Sequence, residues 1–180
     1  MPDTLPDPRF PIGRFEFPQS VTAQEREAFL DRLVAAPAHL RAVVQGLTGT
    51  QLDTPYREGG WSVRQVIHHL PDSHMNSYIR FKLALTETEP TIKPYDEAAW
   101  ALLPDTVLTP VDTSLTLLEA LHSRWVTLMR AMTDRQWGRT MRHPENGMLR
   151  LDQVLALYAW HGDHHIAHIN GAVRGKETIA

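Results

Sequence analysis

Two helix-start signals, each followed by a long apolar stripe, restrict this fold more than any other feature. Thr22 with Glu25 and Ser62 with Gln65 set a hydroxyl three residues ahead of an acid or amide, so that each side chain can satisfy an orphan backbone N–H of a first helical turn. From Thr22, the spacing of Phe29, Leu33, Leu40, Val43, Val44 and Leu47 predicts a helix to about Leu47, which Pro37 should kink or divide. From Ser62, the stripe Val63, Val66, Leu70, Ser77, Phe81 and Ala84 predicts a second helix to about Thr86. Pro71 lies inside it at a cost of roughly 3 kcal/mol unless the helix bends, so a distortion is expected beside His68, His69 and His74.

Two further stripes follow. Asp112 or Ser114 is the expected cap of a third helix through Met132, carrying Leu115, Leu118, Leu121, Trp125, Leu128 and Met129. Asp152 is the expected cap of a fourth, running to about Arg174 with Gly175 as its stop. Between them the chain is punctuated. Residues 1–19 hold Pro2, Pro6, Pro8, Pro11 and Pro18 and read as an extended arm, laid on the surface by Phe10, Phe15 and Phe17. Thr48 to Gly60 reads as a loop, and residues 87–111, with Pro90, Pro94, Pro104 and Pro110, as a long connection between helices two and three containing a short helix near Asp96 to Leu103. In GRTMRHPENGMLRLD, Pro144 and Asn146-Gly147 mark a turn or small hairpin. The expected architecture is all-α, a four-helix bundle forming one domain over residues 1–180.

Composition narrows the function. A net charge of −3 and a pI near 6.3 supply no basic field for nucleic acid or an anionic membrane, which favours a small-molecule partner. The absence of cysteine excludes disulfides, cysteine-based zinc sites and a cysteine nucleophile, so any thiol chemistry needs a thiol carried by a ligand. MPDTLPDPRFPIGRFEFP lacks a charged region followed by an apolar core, and no apolar run approaches the roughly 18 residues of a membrane span, so a cytoplasmic location is expected.

The chemistry is concentrated in YAWHGDHHIAHI, where His161, His164, His165 and His168 fall within eight residues. At about 100° per residue, Leu151, Val154, Tyr158, Ile169 and Ala172 share one stripe, and His161 and His165 lie along it. Their i, i+4 spacing stacks two imidazoles able to share a metal ion. His168 lies near the edge of the stripe, His164 further round, and Asp163 and Asn170 on the far side. A third ligand has to come from another helix. Periodicity on the second helix favours His74 over His69 and His68, but Pro71 disturbs the phase and the choice stays open. His39, His122 and His143 read as surface or packing residues, and Trp61, Trp125, Trp160 and Met129 as core.

The combination GGWSVRQVIHHLPDSHMNSYIRFKLAL, PYDEAAW and LYAWHGDHHIAHI resembles the YfiT branch of the DinB-like superfamily, beginning with FPIGRFEFP in the arm. The resemblance implies a metal-binding four-helix bundle of metal-dependent hydrolase type, in a superfamily that includes bacillithiol S-transferases. It also implies the ligands: His69, eight residues after Trp61, together with His161 and His165, leaving His74 as a pocket residue. Homodimers are implied as well.

Three imidazoles leave a divalent ion an open position, and imidazole suits zinc and nickel alike. Hydrolysis by an activated water is the first expectation. Transfer of a low-molecular-weight thiol of bacillithiol type to an electrophile is the alternative, and metal or ligand binding in a stress or damage response, without catalysis, is a third. His74, Asp72 and Tyr78 are the candidates for catalytic proton transfer, and Asp72, Asp163, Tyr78 and His74 for hydrogen bonds to the ligands.

Overall fold

The computed structural model describes residues 7–177. The long helices are α1 (Ala23–Val44), α3 (Val63–Thr86), α6 (Val111–Arg130) and α8 (Leu151–Glu177). Short helices α2 (Gly49–Leu52), α4 (Glu97–Trp100), α5 (Asp105–Leu108) and α7 (Asp134–Trp137) lie in the connections, and β1 (Thr140–His143) pairs antiparallel with β2 (Gly147–Arg150).

The packed pairs are α1 with α8, α3 with α6, α1 with α6, and α3 with α8, which closes a ring in the order α1, α8, α3, α6. Two apolar clusters explain the chain directions. One gathers Leu30, Leu33, Phe81, Trp125, Met129, Leu151 and Tyr158; the other gathers Leu40, Val63, Leu70, Leu115, Leu118 and Ile169. By the order of these residues, α1 and α8 run from the first cluster to the second, while α3 and α6 run back. Because α3 and α6 are parallel, residues 87–110 must return along the whole bundle, which is why that connection is long. It is tied down on the way: Ile92 N–H donates to Arg142 C=O and Arg142 N–H to Pro90 C=O, adding a strand-like rung beside the hairpin.

Both expected capping boxes form. Glu25 N–H donates to Thr22 Oγ1 at 3.2 Å and Thr22 N–H to the Glu25 carboxylate at 2.8 Å; Ser62 and Gln65 repeat this at 3.2 and 2.9 Å. Each such cap is worth about 1 kcal/mol. The same motif at Thr48/Gln51 and Thr133/Gln136 opens α2 and α7, which the periodicity passed over because four residues carry no stripe. The helix α1 stops at Val44, short of Leu47, because Gly46 turns the chain at φ +78°. Neither proline divides its helix: α1 passes through Pro37 and α3 through Pro71.

Three expected boundaries are corrected. Neither Asp112 nor Ser114 caps α6, which begins behind Pro110 with its preset φ of −59°. Asp112 instead pairs with Arg41 at 2.6 Å, and Ser114 Oγ meets His68 Nδ1 at 2.7 Å. Asp152 lies inside the first turn of α8, paired with Arg150 at 3.0 Å, while Gln153 accepts from Arg150 N–H in the manner of a cap. Gly175 does not stop α8, which runs on to Glu177; glycine inside a helix costs only about 1 kcal/mol. The turn at Asn146-Gly147 does close a hairpin, with Gly147 at φ +71° opposite His143.

The arm is extended and lies along α8. Phe15 packs on Trp160, Gln153 donates to Pro18 C=O at 2.9 Å, and Arg150 donates to Gln19 C=O at 3.2 Å. Pro2 and Pro6 lie outside the described residues.

Candidate metal centre

Between the two apolar clusters, every long helix leaves a gap at the same height, and polar side chains fill three of them. Helix α3 supplies His69, Ser73, His74 and Ser77, α6 supplies His122, and α8 supplies His161 and His165; α1 supplies only Ala36 and Pro37 there. The two helices pack closely there, and a Cβ on Gly162 would lie in ordinary contact with that of Ala36, at 3.5 Å.

His69, His161 and His165 converge, with one ring nitrogen from each within 4.8 Å of the others. His69 Nε2 and His161 Nε2 stand 3.3 Å apart. Two nitrogens each about 2.0–2.1 Å from one tetrahedral ion are separated by about 3.3–3.4 Å, so this pair needs almost no adjustment to share one. Burial drives the His69 imidazole down to about 4, and drives His161 and His165 well below the ordinary value, with neighbouring imidazoles adding to it. All three rings are therefore neutral at pH 7, the protonation state in which a histidine offers a lone pair. The donor set fits a divalent metal.

His74 does not join them. It is fully buried, its Nε2 3.1 Å from His161 Nδ1 and its Nδ1 2.8 Å from His122 Nε2, and His122 Nδ1–H donates to Leu33 C=O at 2.7 Å. Periodicity favoured His74 because it does face inward; what it cannot show is which neighbour an inward ring meets. His68 is buried too, against Ser114.

His164 and His168 lie one layer out. His164 stacks on Trp160, and its buried Nδ1 has no hydrogen-bond partner among the described residues. His168 stacks on Tyr56, its Nδ1 lies 3.4 Å from His165 Nδ1, and its Nε2 lies 3.4 Å from Arg9 C=O. The remaining candidates point elsewhere. The Asp72 carboxyl is pushed up to about 6 by burial and then by Asp105 on α5; Tyr78 packs beside Lys82 and Arg124; Asp163 pairs with Arg32 at 2.7 Å.

Two cavities meet at His161. One, of about 400 Å³, is lined by Ser73, Arg80, Tyr95, Glu97, His143 and Tyr158. The other, of about 370 Å³, is lined by Arg9, Arg57, Trp61, His69, His164 and His168. Glu97 at the start of α4 borders both; its side chain is exposed, and partial desolvation of the carboxyl, followed by Glu145 and Asp96, raises its pKa. Nothing in its spacing marked Glu97 as functional; its place in PYDEAAW, inside a connection too long to be only a linker, was the available signal.

A family model described as the DinB superfamily matches residues 32–169. The chain belongs to this family. A relative from Bacillus cereus (strain 03BB102), named "Putative metal-dependent hydrolase", is 52% identical over 163 residues, covering 91% of this chain and 94% of its own. The solved structure of YfiT from Bacillus subtilis, described as "a probable metal-dependent hydrolase with an unusual four-helix bundle topology", superposes with a TM-score of 0.92 at 47% identity, covering 94% of this chain and 98% of that one. A mycothiol-dependent maleylpyruvate isomerase shares the fold at a TM-score of 0.62 and 16% identity, over 80% of this chain and 60% of that one. Among the described residues, no helix is long and apolar enough to cross a membrane.

Proposed function

We propose that this chain is a metal-dependent enzyme of hydrolase type, with His69, His161 and His165 as the ligands of a zinc or nickel ion. The observation that carries this reading is the convergence of three neutral, desolvated imidazoles where two cavities meet. The names of the similar Bacillus proteins point the same way. A divalent ion held there supplies Lewis acidity, polarising a carbonyl or phosphoryl oxygen and acidifying a water or thiol. The protein's own groups do the rest. Glu97 is placed to hold or move a proton at its carboxylate from either cavity, since its raised pKa brings it closer to neutral pH. Arg80 on one side, and Arg9 and Arg57 on the other, offer guanidinium groups to an anionic substrate.

Transfer of a low-molecular-weight thiol is the second reading, favoured by the paired cavities, which give a nucleophile and an electrophile separate approaches to His161. With no cysteine in the chain, the thiol is a cosubstrate. The test is to incubate Zn2+- or Ni2+-loaded protein with a thiol and a fluorogenic electrophile, and separately with ester, amide and phosphoester panels. Turnover without thiol that is lost in His165→Ala supports the hydrolase; conjugation lost in the same variant supports the transferase. Silence in every panel leaves a metal or ligand binder.

A further inference from the structure

We propose that His122 and His74 are positioning residues that fix the tautomer of His161, so that its Nε2 lone pair stays aimed at the metal centre. The role rests on the reading of His161 as a ligand, but the tautomer is readable without any metal.

The argument starts at the far end of the chain of rings. Leu33 C=O, on α1, can only accept, so His122 Nδ1, 2.7 Å away on α6, carries the proton. A neutral imidazole has one N–H, which makes His122 Nε2 an acceptor, and His74 Nδ1, 2.8 Å away on α3, must donate to it. His74 Nε2 is then the acceptor for His161 Nδ1–H on α8 at 3.1 Å. His161 Nε2 is left with a lone pair, directed at His69 Nε2 at 3.3 Å. Each of the four long helices contributes one link, and the direction cannot be reversed, because a backbone carbonyl has no proton to give.

The surroundings keep the rings neutral. His74 and His122 stack with ring centroids 4.9 Å apart, and Trp125 and Tyr158 stand edge-on around His74. No carboxylate is hydrogen-bonded or ion-paired to His74, His122 or His161 among the described residues, so a cation there would lie in the core without a counter-charge. Metal-binding histidines commonly have the other ring nitrogen held by a carboxylate or carbonyl. Here two further imidazoles are inserted between ligand and carbonyl, carrying the carbonyl's directing effect across the bundle.

The decisive experiment begins with 15N-histidine-labelled, metal-free protein at neutral pH, using long-range 15N–1H correlations to locate each ring proton. His122, His74 and His161 should all carry it on Nδ1. A His161 proton on Nε2 overturns the proposal. Ni2+ affinity is then measured by competition with a chromophoric chelator in His122→Phe, which offers His74 no acceptor, and in His122→Gln, whose amide oxygen can replace the lost acceptor. Folding is checked by circular dichroism. The phenylalanine variant should bind roughly 10- to 100-fold more weakly, and glutamine should restore most of the loss. A folded His122→Phe that binds Ni2+ like the wild type overturns the proposal, and should it fail to fold, the wild-type spectrum and the glutamine variant still decide. A wild-type chain that binds neither Ni2+ nor Zn2+ overturns the ligand reading alone; the Nδ1 pattern then decides the tautomer separately.

Discussion

His161 and His165 stand one turn apart on α8, yet their rings are held from opposite sides of the molecule. Behind His161 lies the core: two buried imidazoles and a carbonyl of α1, at 3.1, 2.8 and 2.7 Å. Behind His165 lies the surface: His168, then the Arg9 carbonyl of the extended arm, both at 3.4 Å. The logic of proton placement is the same in both, since Arg9 C=O must accept from His168 Nε2–H, and His168 Nδ1 can then accept from His165 Nδ1–H. Their stiffness differs. Short bonds packed inside a bundle fix a ring, whereas long contacts to an arm with few buried side chains leave it free to adjust. One of these two imidazoles is therefore set by the fold and the other by a segment laid over it.

Removing either ring should have the largest effect. His161→Ala and His165→Ala are each expected to abolish tight metal binding, measured as metal content after gel filtration, because two imidazoles do not retain an ion that three hold. The next contrast separates the two backings. Trp125→Ala removes the ring edge-on to both His74 and His122 and should cost about 3–5 kcal/mol in denaturant unfolding, whereas Trp160→Ala, on the arm side and only partly buried, should cost clearly less. Equal losses would erase the distinction between core and arm.

Acid should act through the core side as well. Burial drives His122 from 6.5 down to about 4, so between those values the unfolded chain takes up a proton that the folded chain refuses. Stability therefore falls as pH falls through that window, by about 1.4 kcal/mol per pH unit for this residue, and His122→Gln should flatten the slope by that amount. The smallest effect is expected from His164→Ala. This ring lies against Trp160 outside the converging set, so metal affinity should stay close to that of the wild type.

The four helices could be read in the sequence because two capping boxes and four stripes act locally, and the structure keeps them nearly residue for residue at Ser62 and Thr86. The boundaries at Asp112 and Asp152 failed for a shared reason: each carboxylate has an arginine close by, and pairing with it replaced the capping role. In the histidine cluster, the helical period placed His161 and His165 inward. On α3 it favoured His74 over His69, yet only the crossing of α3 with α8 decides which ring nitrogen meets His161 Nε2 and which meets Nδ1. His122 looked like packing for the same reason: its partners are 89 and 48 residues away in the chain.

The most direct test of the centre is X-ray absorption spectroscopy at the metal edge of Zn2+- or Ni2+-loaded protein. Three imidazole nitrogens in the first shell, at about 2.0–2.1 Å for zinc, with the remaining ligand a light atom from solvent, are the expected result. A shell with fewer than three imidazoles, or one unchanged in His69→Ala, would contradict it.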